Sequence, residues 1–330
     1  MRAFESAFRL FVACLILAPA WTALAADVKV EPVTLRIDWL ANTWHAPFFL
    51  GIDKGWYREA GFDLTVNEGK GSGNVAQLVG SKSDTFGFAG AEAVVRGVQR
   101  SIPIISVATL MPRNADALFV LKKSGITRAQ DLKGKTIATT PGGTSDALLP
   151  AFLKGAGLRV EDVTIVAVDG PLKIQMVVQG KADAMNGPLW VGGSLEDGGG
   201  VNVFPYPDYG VQVVGYGLVV HTDTAARDPD RVRRFVAVTL RAWEYSVKHP
   251  EEALAALEKL APDNAKPQAM ARNRVSVPMA FGLVGPAVPG KPFGSQSEVA
   301  WDQMQKQLME YGVIKETRPV AQYLTNRFVE

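Results

Sequence analysis

The chain has almost no cysteine. Of its 330 residues only Cys14 carries a thiol, and that residue sits in an amino-terminal stretch that reads as a removable leader. Without it, disulfides, thiolate metal sites and cysteine nucleophiles are all excluded. Histidine is nearly as scarce. His45, His221 and His249 stand at no spacing that would bring two imidazoles to one metal ion, and no H-E-x-x-H occurs. The nucleophile elbow G-x-S-x-G and the phosphate loop G-x-x-x-x-G-K-[ST] are also missing. Charge of one sign is lacking: the net formal charge is +2 and no long basic run appears. That leaves no electrostatic footprint for nucleic acid or an anionic membrane.

Long apolar runs are missing too. The segment from Leu10 to Ala18 is apolar but too short to span a bilayer. It follows Arg2 and Arg9 and precedes Ala23-Leu24-Ala25, a small-x-small cleavage pattern. The reading is a signal peptide over 1–25 and an exported, soluble mature chain starting near Ala26. With 47% hydrophobic and 21% charged residues, the composition is that of an ordinary globular protein. About 300 residues bury a sizeable core and usually form more than one lobe. Nothing in the composition indicates an oligomer, and a monomer is expected.

The mature chain alternates β-rich runs with amphipathic helices. A strand at Thr34–Ile37 leads into a loop with Trp39, Asn42, Trp44 and His45. A helix is expected from Pro47 until Gly61, then strands at Phe62–Asn67, Thr85–Ala89 and Ile104–Leu110 with helices between them. The rhythm repeats with Lys135–Thr140, a helix from Asp146 to Ala156, Val163–Val168, a helix from Pro171 to Gly180 and a short strand at Ala182–Met185. Tyr216–His221 is a strand, Asp228-Pro229 opens a helix, Pro250 opens another, and Val299–Tyr311 is the last. Residues 262–297 are rich in Pro and Gly and give no clear element. This βαβ order implies α/β architecture with mostly parallel sheets flanked by helices.

Two features point to a binding cleft. Flat rings beside amide and imidazole groups, at the carboxyl end of a strand, suit a small molecule. In each half a small polar turn opens a helix: Gly71-Ser72-Gly73-Asn74 and Gly142-Gly143-Thr144-Ser145. Free N–H groups there, with the helix dipole, favour polar or anionic groups. Gly90 opens a further helix, and Asn186, Trp190 and Tyr216 are further candidates for the lining. Trp56, Trp243 and Trp301 fall on helical stripes and read as core. Gly71-Ser-Gly-Asn-Val-Ala76 also matches the G-x-G-x-x-A outline of a dinucleotide site, with Glu92 about twenty residues on.

Taken together these segments resemble the solute-binding proteins of ABC importers. The branch is the one covering thiamine-pyrimidine precursor, alkanesulfonate and nitrate binders and the related fungal thiamine-pyrimidine synthases. The resemblance is carried by Lys54-Gly-Trp-Tyr-Arg-Glu-Ala-Gly-Phe-Asp-Leu64, Asp131-Leu-Lys-Gly-Lys-Thr-Ile137, Val178-Gln-Gly-Lys-Ala-Asp-Ala184 and Asp228-Pro-Asp-Arg-Val-Arg-Arg-Phe235. It spans roughly residues 34 to 260.

The resemblance implies a two-lobed periplasmic-binding-protein fold of type II with two crossovers, near Met111–Leu118 and Val214–His221. Lobe one would be 33–113 plus 220–330, and lobe two 114–219. It also implies a permease with a cytoplasmic ATPase as partner, no cofactor and no catalysis. Asn42-Thr-Trp-His45 before Ala46-Pro47 looks closest to the pyrimidine members, so Trp39 and Trp190 would stack on the ring while Asn42 and His45 meet its edge. Ser72, Gly73, Thr144 and Ser145 would take polar substituents. The pyrimidine binders place a glutamate soon after the second aromatic; here Val191-Gly192-Gly193 follows Trp190, and Glu196 is the nearest acid. A small anion on the same scaffold, an enzyme (dehydrogenase or pyrimidine synthase) and a sensory receptor are the alternatives.

Overall fold

The computed structural model describes residues 30–329. The leader over 1–25, its cleavage pattern and Cys14 lie outside them. Ten strands follow one another: β1 (Glu31–Arg36), β2 (Phe62–Asn67), β3 (Phe86–Gly90), β4 (Ile104–Thr109), β5 (Asp116–Leu121), β6 (Thr136–Thr139), β7 (Thr164–Ala167), β8 (Ala184–Pro188), β9 (Val201–Pro205) and β10 (Tyr216–His221). They form two five-stranded sheets, ordered β2-β1-β3-β10-β4 and β7-β6-β8-β5-β9.

Within the first sheet β1 pairs parallel with β2 and β3, while β10 is antiparallel to β3 and β4. The second repeats the plan: β6 is parallel to β7 and β8, and β5 antiparallel to β8 and β9. Four strands of each sheet therefore point one way, and the fifth runs against them. The reversed strands are the two that arrive from the other sheet. The expectation of mostly parallel sheets thus holds for strand direction, but not for pairing around β5 and β10.

The helices are α1 (Ala46–Asp53), α2 (Trp56–Glu59), α3 (Ser72–Gly80), α4 (Ala91–Gln99), α5 (Thr144–Gly155), α6 (Gly170–Val178), α7 (Thr222–Arg227), α8 (Pro229–Lys248), α9 (Pro250–Leu260), α10 (Pro267–Phe281) and α11 (Glu298–Glu310). The single helix expected between Pro47 and Gly61 is broken at Gly55, whose φ of 74° is left-handed. Residues Ala46 to Gly51 of α1 are buried without interruption, because α8 and α9 cover it. Both β5 and β9 escaped the sequence reading. The run Asp116–Leu121 is buried on both faces, so it has no alternation to betray a strand. The unassigned stretch after Pro262 contains α10.

The chain crosses between sheets over residues 110–115 and 206–215, so Asp116–Leu118 and Tyr216–His221, expected in crossovers, already belong to sheets. The first crossing bonds to the second and to the start of β10: Asn114 N–H donates to Val213 O (3.1 Å), Met111 N–H to Tyr216 O (3.0 Å) and Tyr216 N–H to Met111 O (3.1 Å). One apolar cluster packs β1 and β3 against α1, α8 and α9, with Trp56 and Trp243 in it. A second runs from Val75 and Val94 through Leu118, Leu148 and Phe152 to Trp301. It is continuous from one sheet to the other, and α11 braces it: Trp301 and Met304 are buried, while Gln307 Nε2 donates to Gly210 O at 3.1 Å.

Candidate functional site

A cavity of about 420 Å³ lies between the two sheets, walled by the loop after β1, the starts of α3, α5 and α6, the end of β8, Trp190, Tyr216 and one face of α10. Ten of the twelve expected residues line it: Trp39, Asn42, Trp44, His45, Ser72, Thr144, Ser145, Asn186, Trp190 and Tyr216. Gly73 and Gly90 do not. The Gly73 N–H donates to Gly142 O at 3.2 Å, and the Gly90 N–H donates to Ser72 Oγ at 3.0 Å, so both are spent within the wall.

The loop after β1 is shaped by its own side chains. Asn42 caps a short 3₁₀ turn over Thr43–His45, its Oδ1 accepting from Trp44 N–H (3.1 Å) and its Nδ2 donating to Leu40 O (2.9 Å). One Nδ2 hydrogen and one Oδ1 lone pair of Asn42 thus hold the loop, and the residue lines the cavity. The turn buries Trp44 and His45 over Asp38. Asp38 Oδ1 accepts from Trp44 Nε1 (3.4 Å) and pairs with His45 Nε2 (2.8 Å). With the hydrogen of a neutral imidazole assigned to Nε2, Nδ1 is an acceptor. It is buried and has no partner among the described residues.

The aromatic residues gather from both sheets. Trp44 packs edge-on to Tyr216 (centroids 4.5 Å) and Phe88 (5.5 Å), and lies on Trp190 at 3.6 Å with a 37° tilt. The Trp190 carbonyl accepts from Ser276 Oγ of α10 at 3.1 Å. Trp39 is half-buried and reaches across the cleft. Its six-membered ring rests on Gly170 at the head of α6, where a Cβ would fall 1.6 Å from Trp39 Cζ2. Tyr216 is buried, which pushes its phenol well above the ordinary range.

The two helix starts face each other. The first N–H groups of α3 and α5 have no carbonyl one turn earlier to bond. Their hydroxyls are engaged: Thr144 Oγ1 donates to Ser72 Oγ at 3.1 Å, and Ser145 Oγ donates to Asp116. The dinucleotide outline fails on geometry. A Cβ at Gly71 would lie 3.1 Å from Gly142 O, so protein backbone fills the space a pyrophosphate would need. Glu92 is buried and paired with Arg96 at 2.7 Å.

Sequence reasoning missed several wall residues. Asp38, Thr140, Asp146 and Lys173 line the cavity, as do Ala269, Arg272, Asn273 and Ser276 of α10. Asp146 accepts from Thr139 Oγ1 (2.9 Å) and Gly142 N–H (3.2 Å). Thr140 Oγ1 and Asn186 Oδ1 are buried without partners among the described residues. Asp116, behind this wall, is pushed up to about 6 by burial, against the hydrogen bonds of Ser145 and Asn114. The side chain of Glu196 is outside those described. Among the described residues no group of three or more His, Cys, Asp or Glu side chains is disposed to hold a metal, and no helix is long and apolar enough to cross a membrane.

Two five-stranded α/β units with a polar-aromatic cleft between them define the periplasmic-binding-protein fold. The alkanesulfonate-binding protein SsuA of Xanthomonas axonopodis pv. citri, solved bound to MOPS, superposes with a TM-score of 0.71, covering 90% of this chain and 99% of that one at 18% identity. Residues 42–253 match the family model described as NMT1/THI5 like, and the chain belongs to that family. The formylaminopyrimidine-binding protein of Halalkalibacterium halodurans is 23% identical over 301 residues, 89% of this chain and 90% of that protein. A 4-amino-5-hydroxymethyl-2-methylpyrimidine phosphate synthase of Saccharomyces cerevisiae is 30% identical over 158 residues, 48% of this chain and 46% of the yeast protein.

Proposed function

We propose that the protein is the periplasmic solute-binding component of an ABC importer and that its cleft takes a small heteroaromatic, an aminopyrimidine of the thiamine series. The two lobes are those of the two sheets, β1–β4 with β10 in one and β5–β9 in the other, and the chain works as a monomer against a permease driven by a cytoplasmic ATPase. The observation that carries the solute class is the buried Asp38 carboxylate set among Trp44, Trp190 and Tyr216. A planar ring stacks on the indoles of Trp39 and Trp190, its amino group donates to Asp38 in place of the missing glutamate, and His45 Nδ1 supplies an acceptor. The pyrimidine-binding relative, matched over nine-tenths of both chains, supports the same class.

The rival small anion fares worse in this setting. Asp38 and Asp146 line the cavity with Asp116 behind it, against Lys173 and Arg272, so a sulfonate or nitrate would be desolvated where negative charge is already in excess. Thermal unfolding of the mature protein against aminopyrimidines, alkanesulfonates and nitrate tests the reading. A solute at a hundred times its Kd stabilises by about 2.7 kcal/mol. The expected shift comes from aminopyrimidines, and Asp38→Asn weakens their binding by about 10- to 100-fold, the scale of a hydrogen bond to a charged group. A shift with sulfonate or nitrate alone, or with no solute, overturns the pyrimidine assignment. Conversion of the pyrimidine to a product would overturn the binding-only role.

A further inference from the structure

The cleft holds a buried cation that ring stacking and the Asp38 contact leave unused. Lys173, in the first turn of α6, is 7% exposed and lines the cavity. Its Nζ donates to Asn186 O at 2.6 Å and stands 5.9 Å from the centroid of Trp39. An ammonium has three hydrogens to donate, and only this one finds an acceptor among the described residues. No described carboxylate comes within ion-pair distance; Asp116 and Asp146 act on it from further away. Burial pushes Lys173 down to about 8, which marks how poorly the protein alone replaces the lost water.

The chemistry of the missing partner follows from the surroundings. A buried donor calls for an acceptor. The acceptor can be an anion or a neutral oxygen, and the local charges separate the two. Asp38 and Asp146 share the cavity with Lys173 and Arg272, while Asp116 and the nearby Glu92–Arg96 pair are buried behind the lining. The carboxylates Asp38, Asp146, Asp116 and Glu92 already outnumber the cations Lys173, Arg272 and Arg96. A fully anionic arm would add an uncompensated charge, whereas a neutral oxygen takes the Lys173 hydrogens without one.

We propose that Lys173 is a specificity-determining residue of the cleft, donating to a neutral acceptor oxygen, a carbonyl or hydroxyl, on the arm of the heteroaromatic whose amino edge meets Asp38. The proposal rests on the pyrimidine reading and adds the second half of the ligand. The bound molecule is bifunctional: donor edge toward Asp38, acceptor arm toward α6.

Calorimetry with three probes sharing a 4-amino-2-methylpyrimidine ring separates the two claims. The probes carry a carboxamide, a methyl or a carboxylate at ring position 5. Wild type is expected to prefer the carboxamide to the methyl by about 10- to 100-fold, and the carboxamide to the carboxylate. Lys173→Met removes the carboxamide preference and leaves methyl affinity in place; Lys173→Gln, which keeps an N–H donor, retains part of it. Equal wild-type affinity for carboxamide and methyl, or a preference that survives in Lys173→Met, overturns the role of Lys173 and leaves the pyrimidine reading standing. A carboxylate that binds tightest overturns the neutral arm. If none of the three binds, both claims fall. Should Lys173→Met not fold, the ranking of the three probes by wild type decides.

Discussion

Asp116 keeps its carboxyl out of water at a cost that can be read by titration. It accepts from Ser145 Oγ and from Asn114 Nδ2 (2.6 Å), yet burial still pushes it up to about 6. The folded value lies above the unfolded one, so stability from this group is full below about pH 4 and is lost as pH rises to about 6. The loss is about 3 kcal/mol and stays constant above that window. Urea melts of wild type and Asp116→Asn at successive pH values should diverge between pH 4 and 6, the variant gaining on wild type. A constant difference would mean that Asp116 does not titrate there. The same residue-level view explains why the site was only partly legible. Aromatic rings in a polar loop announce a cleft, so Trp39, Trp44 and Trp190 could be picked out. Asp38, between the expected strand and the ring-bearing loop, carried no signal of its own, and the capping use of Asn42 was hidden because a cap and a ligand group use the same amide.

Elements were legible where local chemistry and long-range packing agree. The turns before α3 and α5 put glycine and hydroxyl residues where a helix must start, and both helices begin within them. The stretch that became α10 starts at Pro267 and carries Pro278 inside, which reads as interruption. Its Ala269, Arg272, Asn273 and Ser276 are nevertheless spaced i, i+3, i+4 and i+7, a small and polar stripe fit for a wall facing solute. Gly55 shows the converse, a local requirement hidden in a helical pattern. A Cβ there meets nothing within 4 Å, so Gly55→Ala tests the left-handed φ alone. It should cost about 1 kcal/mol in chemical denaturation and leave solute affinity unchanged. A neutral result would mean that the chain absorbs the strain by continuing α1 into α2.

At the scale of the whole molecule, the cleft is shut by contacts that glycine makes possible. Ser72 meets Thr144, Gly73 N–H meets Gly142 O, and the Trp39 ring occupies the space a side chain would need at Gly170. Gly170→Ala should therefore hold the lobes apart and weaken solute binding by about tenfold or more, the scale of overpacking, with the unfolding midpoint of the free protein little changed. Calorimetry with small-angle scattering of the liganded form checks this; unaltered affinity would remove Trp39 from closure. The crossings decide which movement brings those contacts together. The crossing at 110–115 is hydrogen-bonded alongside the other crossing and the β10 residue that follows it, Asn114 with Val213 and Met111 with Tyr216. Two strips riveted in this way cannot slide along each other without breaking the rivets, and a flat ribbon flexes most readily across its face. A joint so built should behave as a leaf spring rather than a ball joint: with one soft coordinate between the lobes, each closing in the proposed import cycle would bring Trp39 back to the same notch.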